Sequence, residues 1–141
     1  MFSSLPTRPG FSAYQDVNAT TAIQGASPHK LVSLLYATLA SEIARARGAL
    51  ARGDVPEKCR AIGKAVRIVD EGLKAPLDMQ RGGAIAENLH DLYDYIVHRL
   101  TLANVRNDDA LLAECARLTQ TLRDGWDGIA DQVQPPIAAA A

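Results

Sequence analysis

The chain has 141 residues, 48% hydrophobic but only 5% aromatic, and its 15 basic and 16 acidic side chains leave a net charge of -1. Near-neutrality speaks against a nucleic-acid partner held by a basic stripe, and an apolar fraction built on aliphatic and Ala side chains suits packed helices better than a β-sandwich. Two cysteines, Cys59 and Cys115, are too few for a disulfide framework at this length, so a reducing compartment is expected.

Residues 1–26 carry Pro6, Pro9, Gly10 and Gly25 among small polar residues, with isolated Phe11, Tyr14, Val17 and Ile23. That pattern has anchors but no steady period, and it predicts an N-terminal arm with at most a short helix. It also lacks a basic leader followed by an apolar stretch, and no window of the chain approaches the roughly 18 apolar residues of a membrane span. A cytosolic protein without membrane insertion is expected.

Ser27-Pro28 then supplies a helix cap followed by a proline at the first helical position, where a missing N–H costs nothing. Leu31, Leu35, Leu39, Ile43, Ala46 and Leu50 recur at spacings of three and four, which predicts a first helix from Pro28 to about Ala51. Gly53 ends it, and Asp54 with Glu57 forms a capping pair for the second. Val55, Cys59, Ile62, Val66, Val69 and Leu73 give that helix a heptad-like seam, stopped by Pro76.

Gly82-Gly83 punctuates again, and Ile85, Leu89, Leu92, Ile96, Leu100 and Ala103 form a third stripe. Asn107-Asp108-Asp109 places a cap and first-turn carboxylates where a fourth helix dipole favours them. Leu111, Cys115, Leu118, Leu122, Trp126, Ile129 and Val133 complete the fourth stripe, and the QPPIAAAA end reads as a frayed tail. Four one-sided helices with short connections predict an all-α, antiparallel up-down four-helix bundle over 27–133, between the arm (1–26) and a tail (134–141).

Chemistry-bearing constellations are sparse. Glu87 and His90 stand in the Glu-x-x-His spacing of di-iron bundles, but that chemistry needs a second such pair and two further inward carboxylates. His98 and His90 lack the supporting cations of a phosphotransfer histidine, with Asp91 and Asp94 beside them to repel a phosphoryl group. His29, in the first turn beside Lys30, reads as a surface residue. Cys59 and Cys115 fall on apolar stripes, where a thiol behaves as a small hydrophobe. No metal, no cofactor and no enzymatic activity are expected.

The informative feature is apolar surface off the four seams. Ala61, Ala65, Ile68 and Gly72 form a second stripe on the second helix, while Tyr95 with Leu102, and Val32 with Tyr36, do the same on the third and first. Helices with two apolar faces either have a broad core face or keep one face for a partner. Tyr36, Tyr93 and Tyr95 also suit boundary positions, with an apolar ring and a wet hydroxyl.

The segments TTAIQGASPHKLVSLLY, IGKAVRIVDEGLKAPLD, GGAIAENLHDLYDYIVHRLTLAN and LRDGWDGI together resemble the flagellar secretion chaperone FliS family over about Tyr14 to Ile129. The resemblance is carried by Ala26-Ser27-Pro28, Leu92-Tyr93-Asp94-Tyr95, Ala103-Asn104 and Trp126, in family order. It implies a cytoplasmic, non-enzymatic chaperone with an antiparallel helical bundle. Such a chaperone binds the disordered C-terminal segment of flagellin in a one-to-one complex, prevents premature polymerisation and helps deliver the subunit to flagellar export apparatus components.

On that footing the client surface is expected to use Val32, Tyr36, Ala65, Ile68, Gly72, Tyr95 and Leu102, and the arm residues Phe11, Tyr14, Val17 and Ile23 are expected to cover a groove until the client arrives. The protein is expected as a monomer or weak homodimer. The alternative is a structural homodimer whose second stripes pair with themselves and serve no flagellin client.

Overall fold

The structure is a computed structural model that describes residues 27–129. It contains four helices: α1 (Pro28–Ala51), α2 (Val55–Arg67), α3 (Gly83–Arg106) and α4 (Asp109–Gly128), and α2 runs directly into a π-helical segment, Ile68–Lys74. The expected arm, with Phe11, Tyr14, Val17 and Ile23, and the expected tail and Val133 lie outside the described residues. The architecture is all-α, as the hydrophobic periodicity predicts. α1 packs chiefly on α2 and α4, and α3 bridges α4 and the π segment, so helices adjacent in sequence are adjacent in space and α1–α4 closes the ring.

Local chemistry sets the boundaries. The Ser27 hydroxyl accepts from the Lys30 N–H at 3.1 Å, the Asp54 carboxylate from the Glu57 N–H at 3.2 Å and the Asp108 carboxylate from the Ala110 N–H at 2.9 Å, each satisfying a donor that the first helical turn leaves unpaired. The expected Asp54–Glu57 capping pair is made in one direction only, because the Glu57 carboxylate pairs with Arg60. Gly53 adopts φ +74 and Asn107 φ +52, the left-handed conformation that turns the chain after α1 and α3. At Gly82 a Cβ would lie 2.5 Å from that of Ala86 and 2.9 Å from the Asp78 carbonyl oxygen, so this tight entry into α3 accepts no side chain.

The core holds Leu35, Leu39, Ile43, Ile62, Val69, Ile96, Leu100, Leu112 and Cys115. It differs from the expected seams on α2. Val55 is 52% exposed and Cys59 is exposed, whereas Ala61, Ala65, Ile68 and Gly72 are buried together with Ile62, Val69 and Leu73. The two α2 stripes are one broad core face. Its first position is held by Lys58, 3% exposed, whose ammonium donates to the Asn104 carbonyl at 2.9 Å and to the Asn107 side chain. An apolar count cannot flag a lysine there, but its stem packs inward and its charge satisfies the carbonyl end of α3. On α3, Ile85 is 72% exposed because burial begins only at Ala86.

Candidate functional site: an apolar groove at one end of the bundle

At the end where α1 and α3 begin and α4 stops, the helices do not close on one another. The π segment accounts for part of this. It is closed by the Ala75 N–H donating to the Asp70 carbonyl at 3.0 Å, a wider turn than an α-helix makes, and such turns recur at functional sites. Pro76 has no N–H with which to continue the helix, and in the connection over 75–82 that follows, Pro76 and Leu77 line the opening. Lys74 pins this corner, with its ammonium 2.9 Å from Asp70 and 2.7 Å from Asp94 across on α3.

The result is a groove of about 380 Å³ with Val32 and Tyr36 on α1, Gly72 and Leu73 on the π segment, Leu89 and Tyr93 on α3, and Leu122 and Trp126 on α4 among its walls. Ile129, 38% exposed, lies at its edge. A concave, mostly apolar surface with few polar groups is the usual form of a binding site.

His29 and Trp126 fix the α1–α4 wall. Their rings stack with centroids 4.6 Å apart and planes at 12°. The indole N–H donates to the His29 carbonyl at 3.0 Å, and His29 Nε2 lies 3.1 Å from the Trp126 carbonyl, to which it donates as Nε2–H. His29 is therefore not the surface residue its neighbour Lys30 suggested; it is 6% exposed, because an aromatic partner far along the chain covers it.

Between α1 and α3, the Tyr36 and Tyr93 hydroxyls hydrogen-bond at 2.5 Å. Both rings are 3% exposed, so neither is the wet boundary residue that tyrosine chemistry allows. Burial raises the pKa of both phenols; the shared hydrogen bond opposes this at Tyr36 and adds to it at Tyr93.

The expected client residues divide on this geometry. Val32, Tyr36 and Gly72 come together on the groove. Ala65 and Ile68 are 0% and 1% exposed and belong to the core, not to an outward face, because small residues let α2 seat closely in the bundle. Tyr95 is 41% exposed and donates to Glu114 at 2.5 Å, with the Arg99 guanidinium 5.5 Å from its ring centroid. Neither Tyr95 nor the half-buried Leu102 lines the groove.

The hydrophobic periodicity places Leu89, Leu122 and Trp126 on seams, and tyrosine chemistry suits Tyr93 to a boundary position; all four line the groove. For Leu122 and Trp126 the signal is a position near the end of α4 beside Gly125; Leu89 and Tyr93 lie inside α3, and the sequence carries no such signal for them.

Burial pushes the Cys115 thiol up to about 12, and Cys59 Sγ lies 3.5 Å from the Asn104 side-chain oxygen. Glu87 is exposed, and His90 Nδ1 sits 3.6 Å from Asp94. Among the described residues no three His, Cys, Asp or Glu side chains gather as a metal site, and no helix is long and apolar enough to cross a membrane.

A family model described as flagellar protein FliS matches residues 10–133. The chain is 43% identical over 123 residues to the flagellar secretion chaperone FliS of Salmonella typhimurium, covering 87% of this chain and 91% of that one. It is 44% identical over 116 residues to the flagellar secretion chaperone FliSB of Pseudomonas aeruginosa, with 82% and 91% covered. With the flagellar secretion chaperone FliS of Vibrio cholerae it shares 33% over 132 residues, 94% and 96% of the two chains. A match of this extent, on a four-helix bundle, places the chain in the FliS family of flagellar proteins.

Proposed function

We propose that this protein is a cytosolic, non-enzymatic flagellar export chaperone and that it binds the C-terminal segment of flagellin in the groove at the end of the bundle. The observation that carries the assignment is a continuous apolar wall, from Val32 and Tyr36 to Leu122 and Trp126, left uncovered by the four helices, in a chain whose relatives are named secretion chaperones. A polymerising subunit must have its sticky terminal segment masked before assembly. Apolar anchors of a disordered segment, spaced as on a helix face or as along an extended strand, suit such a groove. Coupled folding of such segments typically buries about 1,000–3,000 Å², more than one groove offers, so the client runs on over neighbouring helix faces. Masked in this way, the subunit is kept monomeric for transfer to the flagellar export apparatus.

The arm is the natural competitor. Pro28 begins α1 and Val32, four residues on, is already groove wall, so residues 1–26 are tethered about 6 Å along the helix from the site. Phe11, Tyr14, Val17 and Ile23 cover the groove until a client displaces them. Removing a competitor raises apparent affinity by the fraction of time the site was blocked, so truncation before Thr20 tightens client binding. A fall in affinity makes the arm part of the binding site instead.

Light scattering on a size-exclusion column, with and without a flagellin C-terminal peptide, tests the assignment. A one-to-one complex is expected; a homodimer that ignores the peptide overturns it.

A further inference from the structure

We propose that the Tyr36–Tyr93 pair is a hydrogen-bond donor built into the groove, and that it selects a client segment presenting an unpaired carbonyl oxygen at that point. The inference rests on the groove being the client site. It begins from a count of donors. The side-chain donors on the groove wall are Tyr36, Tyr93, Thr121 and Trp126. The Thr121 hydroxyl donates to the Arg117 carbonyl at 3.1 Å and the Trp126 indole to the His29 carbonyl, so both are spent.

Each phenol carries one O–H, and the bond between the two hydroxyls uses one of the two hydrogens. Burial holds both phenols protonated near neutral pH. One O–H of the pair thus has no acceptor among the described residues, although both tyrosines are more than nine-tenths buried. A buried donor without a partner is unfavourable, and a guest that brings an acceptor relieves it.

The acceptor's chemistry follows from the surroundings. A carboxylate entering an apolar wall loses its hydration without a cation to replace it, and no Lys or Arg lines the groove. Carbonyls in the middle of a helix are already bonded to their own chain. Among main-chain groups, the acceptor that remains is a carbonyl in an extended stretch or in the last turn of a helix, where such groups are unpaired. The pair therefore reads the backbone state of the client at this point, while Leu89, Leu122 and Trp126 take its apolar side chains.

The experiment is titration calorimetry of the full chain with a flagellin C-terminal peptide. Tyr36→Phe/Tyr93→Phe removes both hydroxyls together, so it strands no partner and should keep the melting temperature. It should weaken binding by about three- to tenfold, the worth of one hydrogen bond. Affinity equal to or tighter than wild type overturns the proposal. Leu122→Asp separates the two levels: if it leaves binding intact in a folded protein, the groove itself is not the client site. If it abolishes binding while the double Phe variant binds normally, the groove stands and the donor role alone falls. Phenolic-proton NMR of the wild type needs no variant. A second tyrosine hydroxyl should become protected from exchange when the peptide binds, and its failure to do so contradicts the proposal.

Discussion

The two ends of the bundle solve the same problem in opposite ways. At the end holding residues 52–54 and 107–108 the connections are short and the facing residues are small: Ala46, Ala49, Ala61 and Ala103 are all at most 2% exposed. The polar groups there are paired. Lys58 satisfies the end of α3, Glu42 lies 3.5 Å from Lys64, and Arg47 holds Asp109 through two hydrogen bonds of 2.8 and 2.9 Å. At the other end the residues are large, α2 widens into a π turn, and the longer connection over 75–82 leaves a groove. Small side chains and satisfied carbonyls close a bundle; aromatic walls and a widened turn keep one end available. The contrast predicts that substitutions at the closed end and in the core move stability, whereas substitutions in the groove move binding.

Ile68→Ala should have the largest effect on stability. A 1% exposed isoleucine reduced to a methyl costs about 2–5 kcal/mol, read as a lower denaturant midpoint. A loss of client affinity without a loss of stability would return Ile68 to the binding surface. At the closed end, Lys58→Met leaves the Asn104 carbonyl without its donor and should cost about 1–3 kcal/mol, with peptide affinity unchanged. If affinity falls in step with stability, the two ends are not independent.

Between the ends, Thr119 is fully buried and its hydroxyl has no hydrogen-bond partner among the described residues. Thr119→Val should therefore raise stability by about 1 kcal/mol; a destabilised variant means that the hydroxyl is satisfied, for instance by a buried water. The smallest effect concerns Asp109. The Arg47 hydrogen bonds hold its carboxyl below the usual range, so its contribution is present above the unfolded value of about 4 and is lost as pH falls through the depressed folded value. With both side chains about half exposed, that contribution is below about 1 kcal/mol and salt-screened. Melting temperatures of wild type and Asp109→Asn should converge toward pH 2, and a gap independent of pH would remove the ion pair from the account.

Much of the fold was legible because its signals are local. Ser27-Pro28, Gly53 and Asn107-Asp108-Asp109 mark helix ends by cap chemistry, and stripes at spacings of three and four mark the faces. The rotation of α2 was not legible, since Ala61, Ala65, Ile68 and Gly72 compete with Val55, Cys59 and Val66 for the core and the deciding residue is a lysine. Three of the seven expected client residues, Val32, Tyr36 and Gly72, gather on the groove, whereas Ala65 and Ile68 lie where packing is complete. The His29–Trp126 stack and the Tyr36–Tyr93 bond join residues 97 and 57 positions apart, and no helical period relates such pairs. The π turn left only Gly72 and Pro76 as traces.

Trp126 is the single tryptophan of the chain and stands on the groove wall, so its fluorescence reports on the site directly. Titrating the full chain with a tryptophan-free flagellin C-terminal peptide should shift Trp126 emission and saturate at one equivalent, and Leu122→Asp should abolish the shift while circular dichroism stays helical. Binding seen by calorimetry with Trp126 emission unmoved would place the client elsewhere on the bundle and contradict the account.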